Sequence, residues 1–241
     1  MRASFPVIRG AVVASMLVTA AVASGPTGSA DAQQKPADGK ASGQTLVYKP
    51  PLRGAPGGRV GGGTRGTGRE SFVLSVLAPN HTGLTSSEQP TLFWFISHPS
   101  SYPVELTLVE PDKTEPLIEL RLQPPVAAGV HRLRLSDHNV RLAAGTPYQW
   151  YVAVVPDGAR RSKDILAGGM IERVSSPAEL AQKAATASRA QLPALYAEAG
   201  LWYDAIGTLS ELLEQTPNDA ALLDQRSALL RQIGLPDISV K

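Results

Sequence analysis

Between Ser71 and Val174, apolar residues recur at every second position in short runs, and turn residues close each run. Side chains of a strand alternate between its two faces, so this pattern predicts short β-strands with one buried side. The runs are Phe72–Leu77, Thr91–Ser97, a third opened by Pro103 with Val104, Leu106 and Leu108 in line, Leu117–Leu122, Val130–Leu135, Tyr148–Val155 and about Ile165–Val174. Seven strands in roughly a hundred residues is the count of a seven-stranded immunoglobulin- or fibronectin-like β-sandwich. The organising stretch is Leu142–Val155. Gly145 and Pro147 turn the chain there, and Tyr148, Trp150, Val152 and Val154 then share one face. A Tyr placed just after such a corner anchors a sandwich strand by sending its hydroxyl back to upstream backbone. Trp94 and Trp150 are expected in the core.

One strand breaks the simple scheme. If Leu92, Trp94 and Ile96 face inward, Phe93 and Phe95 face outward, where two neighbouring rings require a cover or a ligand. In the same way Leu133 and Leu135 point one way, and Arg132 and Arg134 the other.

From Ser176 the period changes to that of helices. Ser176, Pro177 and Glu179 form a helix-start signature. An Ala-rich stretch, Gln182–Leu192, follows and is kinked or restarted at Pro193. Gly200 and Gly234, each followed by Leu, lie 34 residues apart. Ala205, Leu209, Leu212 and Pro217 between them resemble a tetratricopeptide repeat, with Asn218 or Asp219 capping a further helix. Arg189 and Pro193 depart from that pattern, and one and a half repeats are too few to stand alone. The helical hairpin is therefore expected to dock on the sheet face carrying Phe93 and Phe95, through Trp202 or Tyr203.

The residues before Ser71 read differently. Arg2 and Arg9, the apolar run Gly10–Ala23 and the small residues after it predict a secretory signal over 1–32, cleaved after Ala32 or alternatively after Ala23. The run is shorter than the roughly 20 residues a membrane span needs. Residues 33–70 are rich in Gly, Pro and Arg and predict a disordered linker. The domain expectation is thus signal 1–32, linker 33–70, sandwich 71–175 and helical segment 176–241. The linker holds seven basic and two acidic side chains, the remainder fourteen and eighteen, so a cationic tail precedes an anionic body. Arg59 and Arg65 in that tail are candidates for tethering to an anionic envelope polymer. The chain has no cysteine, which removes disulfides, thiol chemistry and Cys-based zinc sites.

Four segments, Y-K-P-P-L-R-G-A-P-G-G-R from Tyr48, L-A-P-N-H-T-G-L-T from Leu77, Q-P-T-L-F-W-F-I-S from Gln89 and A-E-A-G-L-W-Y-D-A-I from Ala197, occur in the order found in a known group. Over about Tyr48–Leu235 the chain resembles the bacterial family catalogued as domain of unknown function 928. The resemblance implies export in Gram-negative bacteria, including cyanobacteria, and brings no established activity or site residues.

The residues themselves offer little chemistry. His81, His98, His131 and His138 show no metal-ligand spacing. Ser136, Asp137 and His138 are adjacent and cannot line up as a relay. Gly61–Thr67 lacks the Gly-Lys-Ser/Thr of a phosphate loop. Glu110, Asp112 and Glu115 read as a solvated acidic turn, Glu105 and Glu119 as outward strand carboxylates, and Arg160, Arg161 and Lys163 as a solubilising basic turn. The expectation is a periplasmic or secreted binding or scaffolding protein rather than an enzyme. It has no cofactor, metal or nucleic acid, and no membrane span after signal cleavage. Its partner is an envelope protein met through the helical end, with Phe93, Phe95, Trp202 and Tyr203 as contact candidates. The alternative is a carbohydrate- or envelope-polymer-binding module with Phe93, Phe95 or Tyr151 as a stacking platform.

Overall fold

A computed structural model describes residues 46–51, 59–60, 64–65, 72–236 and 238, all within the unit spanning 42–241. In chain order its strands are β1 (Thr64–Arg65), β2 (Phe72–Val76), β3 (Gly83–Thr85), β4 (Thr91–Ile96), β5 (Val104–Val109), β6 (Ile118–Leu122), β7 (Gly129–Arg134), β8 (Pro147–Val154) and β9 (Ile165–Arg173). The helices are α1 (Ala178–Thr186), α2 (Leu192–Glu198), α3 (Trp202–Gln215) and α4 (Ala220–Gln232). The chain is therefore a β-rich protein with a helical end. Two sheets form among the described residues, in the orders β1-β2-β4-β7 and β3-β9-β8-β5-β6.

Each of the seven expected runs is a strand, with ends that differ by a residue or so. Register puts Leu74, Val76, Leu92, Trp94, Ile96 and Leu133 on one face of the first sheet. On the second sheet Leu106, Leu108, Val152 and Trp150 sit side by side in the same manner. All ten are buried and belong to one core. The corner tyrosine does what its position predicts. The Ala143 N–H donates to Tyr148 Oη at 3.1 Å, and the ring stays buried.

Two strands lie outside the expected seven, so the described residues carry nine. β3 pairs in parallel with β9 and is too short for a two-residue period to be visible. β1 pairs with β2 inside the glycine-rich stretch.

Disorder across 33–70 is corrected where that stretch is described. Leu46 and Tyr48 are buried, and Val60 bridges to Gly168 of β9. Composition averages over the whole stretch and dilutes the one apolar triplet, Leu46-Val47-Tyr48, whose first and last side chains are buried. The expected signal peptide and the remainder of the linker fall outside the described residues.

The helical end also departs in detail. α1 begins after Pro177, which takes the N-cap position and has no side-chain acceptor to cap with, and the Glu179 carboxylate pairs with Lys183 at 2.7 Å, one turn on. The capping box forms instead at Ser188 and Gln191. Pro193 occupies the first turn of α2, where its missing N–H costs nothing. Asp219 caps α4 through the Ala221 and Leu222 N–H groups.

Candidate functional site

Tracing the candidate residues leads first to the place where helices meet sheets. Trp202 and Tyr203 open α3 and are buried. The Trp202 indole N–H donates to the Leu77 carbonyl at 2.8 Å. The Tyr203 hydroxyl accepts from Trp150 Nε1 and donates to the Met170 carbonyl, both at 2.9 Å. Gly83 makes room for the Tyr203 ring, since a Cβ there would lie 2.6 Å from Tyr203 Cε2. One residue further on, the Asp204 carboxylate accepts from Ser86 N and Ser86 Oγ, each at 2.9 Å. Burial pushes the Asp204 carboxyl above its ordinary value, opposed by those hydrogen bonds. Three consecutive side chains thus fix α3 to the sheets, and the core runs on into the helices.

A second junction is made by Leu46–Pro51. Gln232 near the end of α4 reads the backbone on both sides of Val47, accepting from Tyr48 N at 2.8 Å and donating to the Leu46 carbonyl at 2.7 Å. Lys49 N donates to the Ala197 carbonyl at 3.1 Å, at the end of α2. Gly200, in the left-handed region at φ 76°, lets this strap pass, because a Cβ would sit 2.8 Å from the Lys49 carbonyl oxygen. The Tyr48 ring meets Trp202 edge-on at 5.1 Å, and its hydroxyl lies 2.9 Å from His81 Nε2. Desolvation raises the Tyr48 phenol and lowers the His81 imidazole from their usual values. Arg59, expected in a solvated tether, donates to the Ala78 and Ile233 carbonyls at 3.4 and 3.2 Å. It works as a clamp between the β portion and the helical end. The Arg65 side chain lies outside the described residues.

Phe93 and Phe95 point away from the first sheet's inner face, as period two requires, yet they are only 3% and 8% exposed. A cover exists, and part of it is α3. Trp202 and Tyr203 belong to the same buried core as these rings. Their hydrogen bonds go to Leu77, Trp150 and Met170, and the second half of α3 passes over Phe93.

Between that half of α3, the start of α4 and the sheet runs an open groove of about 590 Å³. Phe93 and Val130 form its floor, and Leu213, Pro217 and Leu223 its apolar wall. Arg132, Glu214 and Arg226 supply its charge. Glu214 pairs with Arg132 and also lies 3.4 Å from Arg134. Ser210 Oγ, on the α3 wall, is buried and has no hydrogen-bond partner among the described residues. Phe93 was legible as part of this site, and outward Arg132 and Arg134 hinted at a charged face. Ser210, Glu214 and Arg226 carried no signal, because only the docked hairpin brings them there.

The other candidates are not brought together. Glu105 faces Arg121 across β5 and β6 and is paired with Arg121 and Arg161 at 2.8 and 2.6 Å, rather than with Glu119. The basic turn is itself neutralised, Arg160 by Asp157 and Arg161 by Asp164, each at 2.7 Å. Ser136 donates to its neighbour Asp137 and not to His138. The Tyr151 ring lies flat on Gly168, at the outer face of the second sheet. Among the described residues, no group of three or more His, Asp or Glu side chains could hold a metal ion, and no helix is long and apolar enough to cross a membrane.

A comparison with curated proteins finds no match. The profile of the family described as Domain of Unknown Function (DUF928) matches residues 60–241, from the Val60 bridge through both sheets and all four helices, and the chain belongs to that family.

Proposed function

We propose that the chain is a non-catalytic binding or scaffolding protein of the bacterial cell envelope, periplasmic or secreted, which meets an envelope protein through its helical end. Export rests on the charged start, apolar run and small residues of 1–32. In this reading the two-sheet body is of the immunoglobulin-like kind, supported by the Tyr148 corner bond. The helices are a tetratricopeptide-like pair, supported by Gly200 and Gly234, which both take left-handed backbone 34 residues apart. The observation that carries the reading is the groove over Phe93. An apolar floor and the Arg132–Glu214 pair are held there on rigid elements, at a place no intramolecular segment fills among the described residues.

The test is retention of envelope proteins on the immobilised chain, compared with a Leu223→Ser variant that melts as wild type does. Loss of a specific retained protein in the variant supports docking at the groove. Identical retention contradicts it.

A second reading, carbohydrate binding, keeps one observation. Phe93 and Phe95 are too buried to stack on a sugar, but the half-exposed Tyr151 ring lies flat over Gly168, with exposed Leu166 nearby on β9. Retention on polysaccharide that disappears in Tyr151→Ala would favour it. Retention unaffected by that change would remove it.

A further inference from the structure

An edge strand left open in a sheet offers unpaired N–H and C=O groups to another chain. Among the described residues the edges are β1 and β7 in the first sheet, and β3 and β6 in the second. β1 and β3 are two and three residues long, too short to template a partner. β7 carries Arg132 and Arg134 on one face, so a second copy laid against it would bring like charges together. β6, Ile118–Leu122, has five residues and carries one charge of each sign. Neighbouring bonds fix which side of β6 is free. The Val155 N–H donates to the Pro103 carbonyl at 3.0 Å, one step beyond the Val104–Val154 pair. Glu105 and Thr107 share Pro103's orientation and bond to β8, while Val104, Leu106 and Leu108 turn to β6. Their partners Leu122, Leu120 and Ile118 spend their backbone groups on β5. The N–H and C=O groups of Glu119 and Arg121 are left on the open edge.

The side chains of this strand form a self-complementary row. When β6 is laid antiparallel on a second copy about Leu120, Glu119 meets the copy's Arg121, and Arg121 meets its Glu119. Those are the residues whose backbone groups face outward, so each pair closes with two hydrogen bonds. On the inner face Ile118 meets Leu122 of the copy, and Leu120 meets its own counterpart. Leu120 and Leu122 pack on the core yet are only partly buried, and a neighbouring strand would complete their cover. Glu119 is exposed, faces Thr107 and has no cationic partner among the described residues. Arg121 shares Glu105 with Arg161 and is 49% exposed, which leaves its guanidinium donors for a second carboxylate.

We propose that β6 is a self-association edge, at which two copies of the chain join antiparallel about Leu120 and their five-stranded sheets become one. The occupant is a second copy because Glu119 and Arg121, two positions apart on one strand, match each other when that strand is inverted. β6 contributes no residue to the groove over Phe93, so the dimer stands or falls independently of the reading given to the groove.

The test is sedimentation velocity on the full chain over a range of concentrations, with charge-swapped variants at the two exposed positions. The wild type should pass from monomer to dimer as concentration rises. Glu119→Arg and Arg121→Glu should each weaken the dimer about tenfold or more, since either change sets like charges in both pairs. Arg161 still holds Glu105 in Arg121→Glu, so both variants should melt as the wild type does. Mixing the two variants should restore wild-type affinity, because one chain then offers two cations and the other two anions. That rescue is the discriminating result, since damage to the fold would not be repaired by mixing. A mixture as weak as its components overturns the pairing, and so does a Glu119→Arg chain that dimerises like the wild type. A wild-type chain still monomeric at about 1 mM overturns it as well. Leu120→Cys reads the register in a chain that has no other cysteine. Facing residues of a non-hydrogen-bonded antiparallel pair have Cα atoms about 4.5 Å apart, within disulfide reach, so mild oxidation should link two copies. Failure to link at concentrations where the wild type dimerises overturns the register.

Discussion

Replacing Tyr203 by Phe removes one oxygen atom from the point where helices and sheets are joined. In the wild type that oxygen accepts from Trp150 Nε1 and donates to the Met170 carbonyl, both at 2.9 Å. Tyr203 is 2% exposed and Trp150 1%, so water cannot replace the lost partner of the indole N–H. Orphaning a buried neutral donor costs about 1–3 kcal/mol, and a typical hydrogen bond contributes about 1 kcal/mol net. Met170 is half-buried, and its carbonyl can recover part of its bonding from solvent. The sum is a loss of about 2–4 kcal/mol, or roughly 5–15 °C in Tm for a chain of this size. Urea unfolding followed by tryptophan fluorescence reads it directly. Tyr151→Phe is the control. It removes a hydroxyl that bonds only to the half-exposed Gln149 side chain and should cost less than about 0.5 kcal/mol. A Tyr203→Phe loss as small as that of the control would refute the buried bond pair.

Three further outcomes follow from the same contacts. Gln232→Ala should free the Leu46–Pro51 strap, seen as faster hydrogen exchange at Tyr48 and Lys49 with exchange in β5 and β8 unchanged; slow exchange retained at both amides would contradict the role given to Gln232. Gly234→Ala should cost about 1–2 kcal/mol for left-handed backbone alone. Gly200→Ala should cost more, because it also pushes on the Lys49 carbonyl, and it alone should loosen the strap; equal costs would argue against the close passage. Asp204 tests the pH dependence. Its folded-state pKa is raised by burial, so the folded chain holds that proton to higher pH than the unfolded chain does. The stabilisation from protonation is complete below the ordinary carboxylate value and is lost as pH rises through the folded one. The stability deficit of Asp204→Asn should therefore be largest in acid and shrink towards neutral pH. A deficit that grows with pH would contradict burial as the dominant influence.

Much of the β portion was legible because alternation is a local signal. Leu92, Trp94 and Ile96 announce their face by spacing alone, and Tyr148 announces its corner by distance from Gly145. β3 stayed hidden since three residues cannot display a period, and Gly83 was selected by a ring 120 residues away rather than by its neighbours. The strap was hidden for a related reason. Leu46 and Tyr48 sit in a stretch dominated by Gly, Pro and Arg, and the Gln232 amide that holds them comes from the other end of the chain. Outward Phe93 and Phe95, with outward Arg132 and Arg134 on a neighbouring strand, were the indications of a candidate site. They showed that something covers the sheet, but the groove's Arg132 and Glu214 come together only after α3 docks. Trp202 and Tyr203 stood out as aromatic residues at a helix start and were expected to be contact residues; both are buried. Their hydrogen bonds run to Leu77, Trp150 and Met170 of this chain.

The central claim is that sheets, strap and helices share one core, with α3 keyed into it by Trp202, Tyr203 and Asp204. Its most direct test is thermal unfolding followed in parallel by tryptophan fluorescence, which reports Trp94, Trp150 and Trp202, and by far-ultraviolet ellipticity, which reports the helices. Coincident transitions with a single Tm are the predicted result. Helix signal that melts well before the fluorescence changes would contradict the shared core and, with it, the groove built upon it.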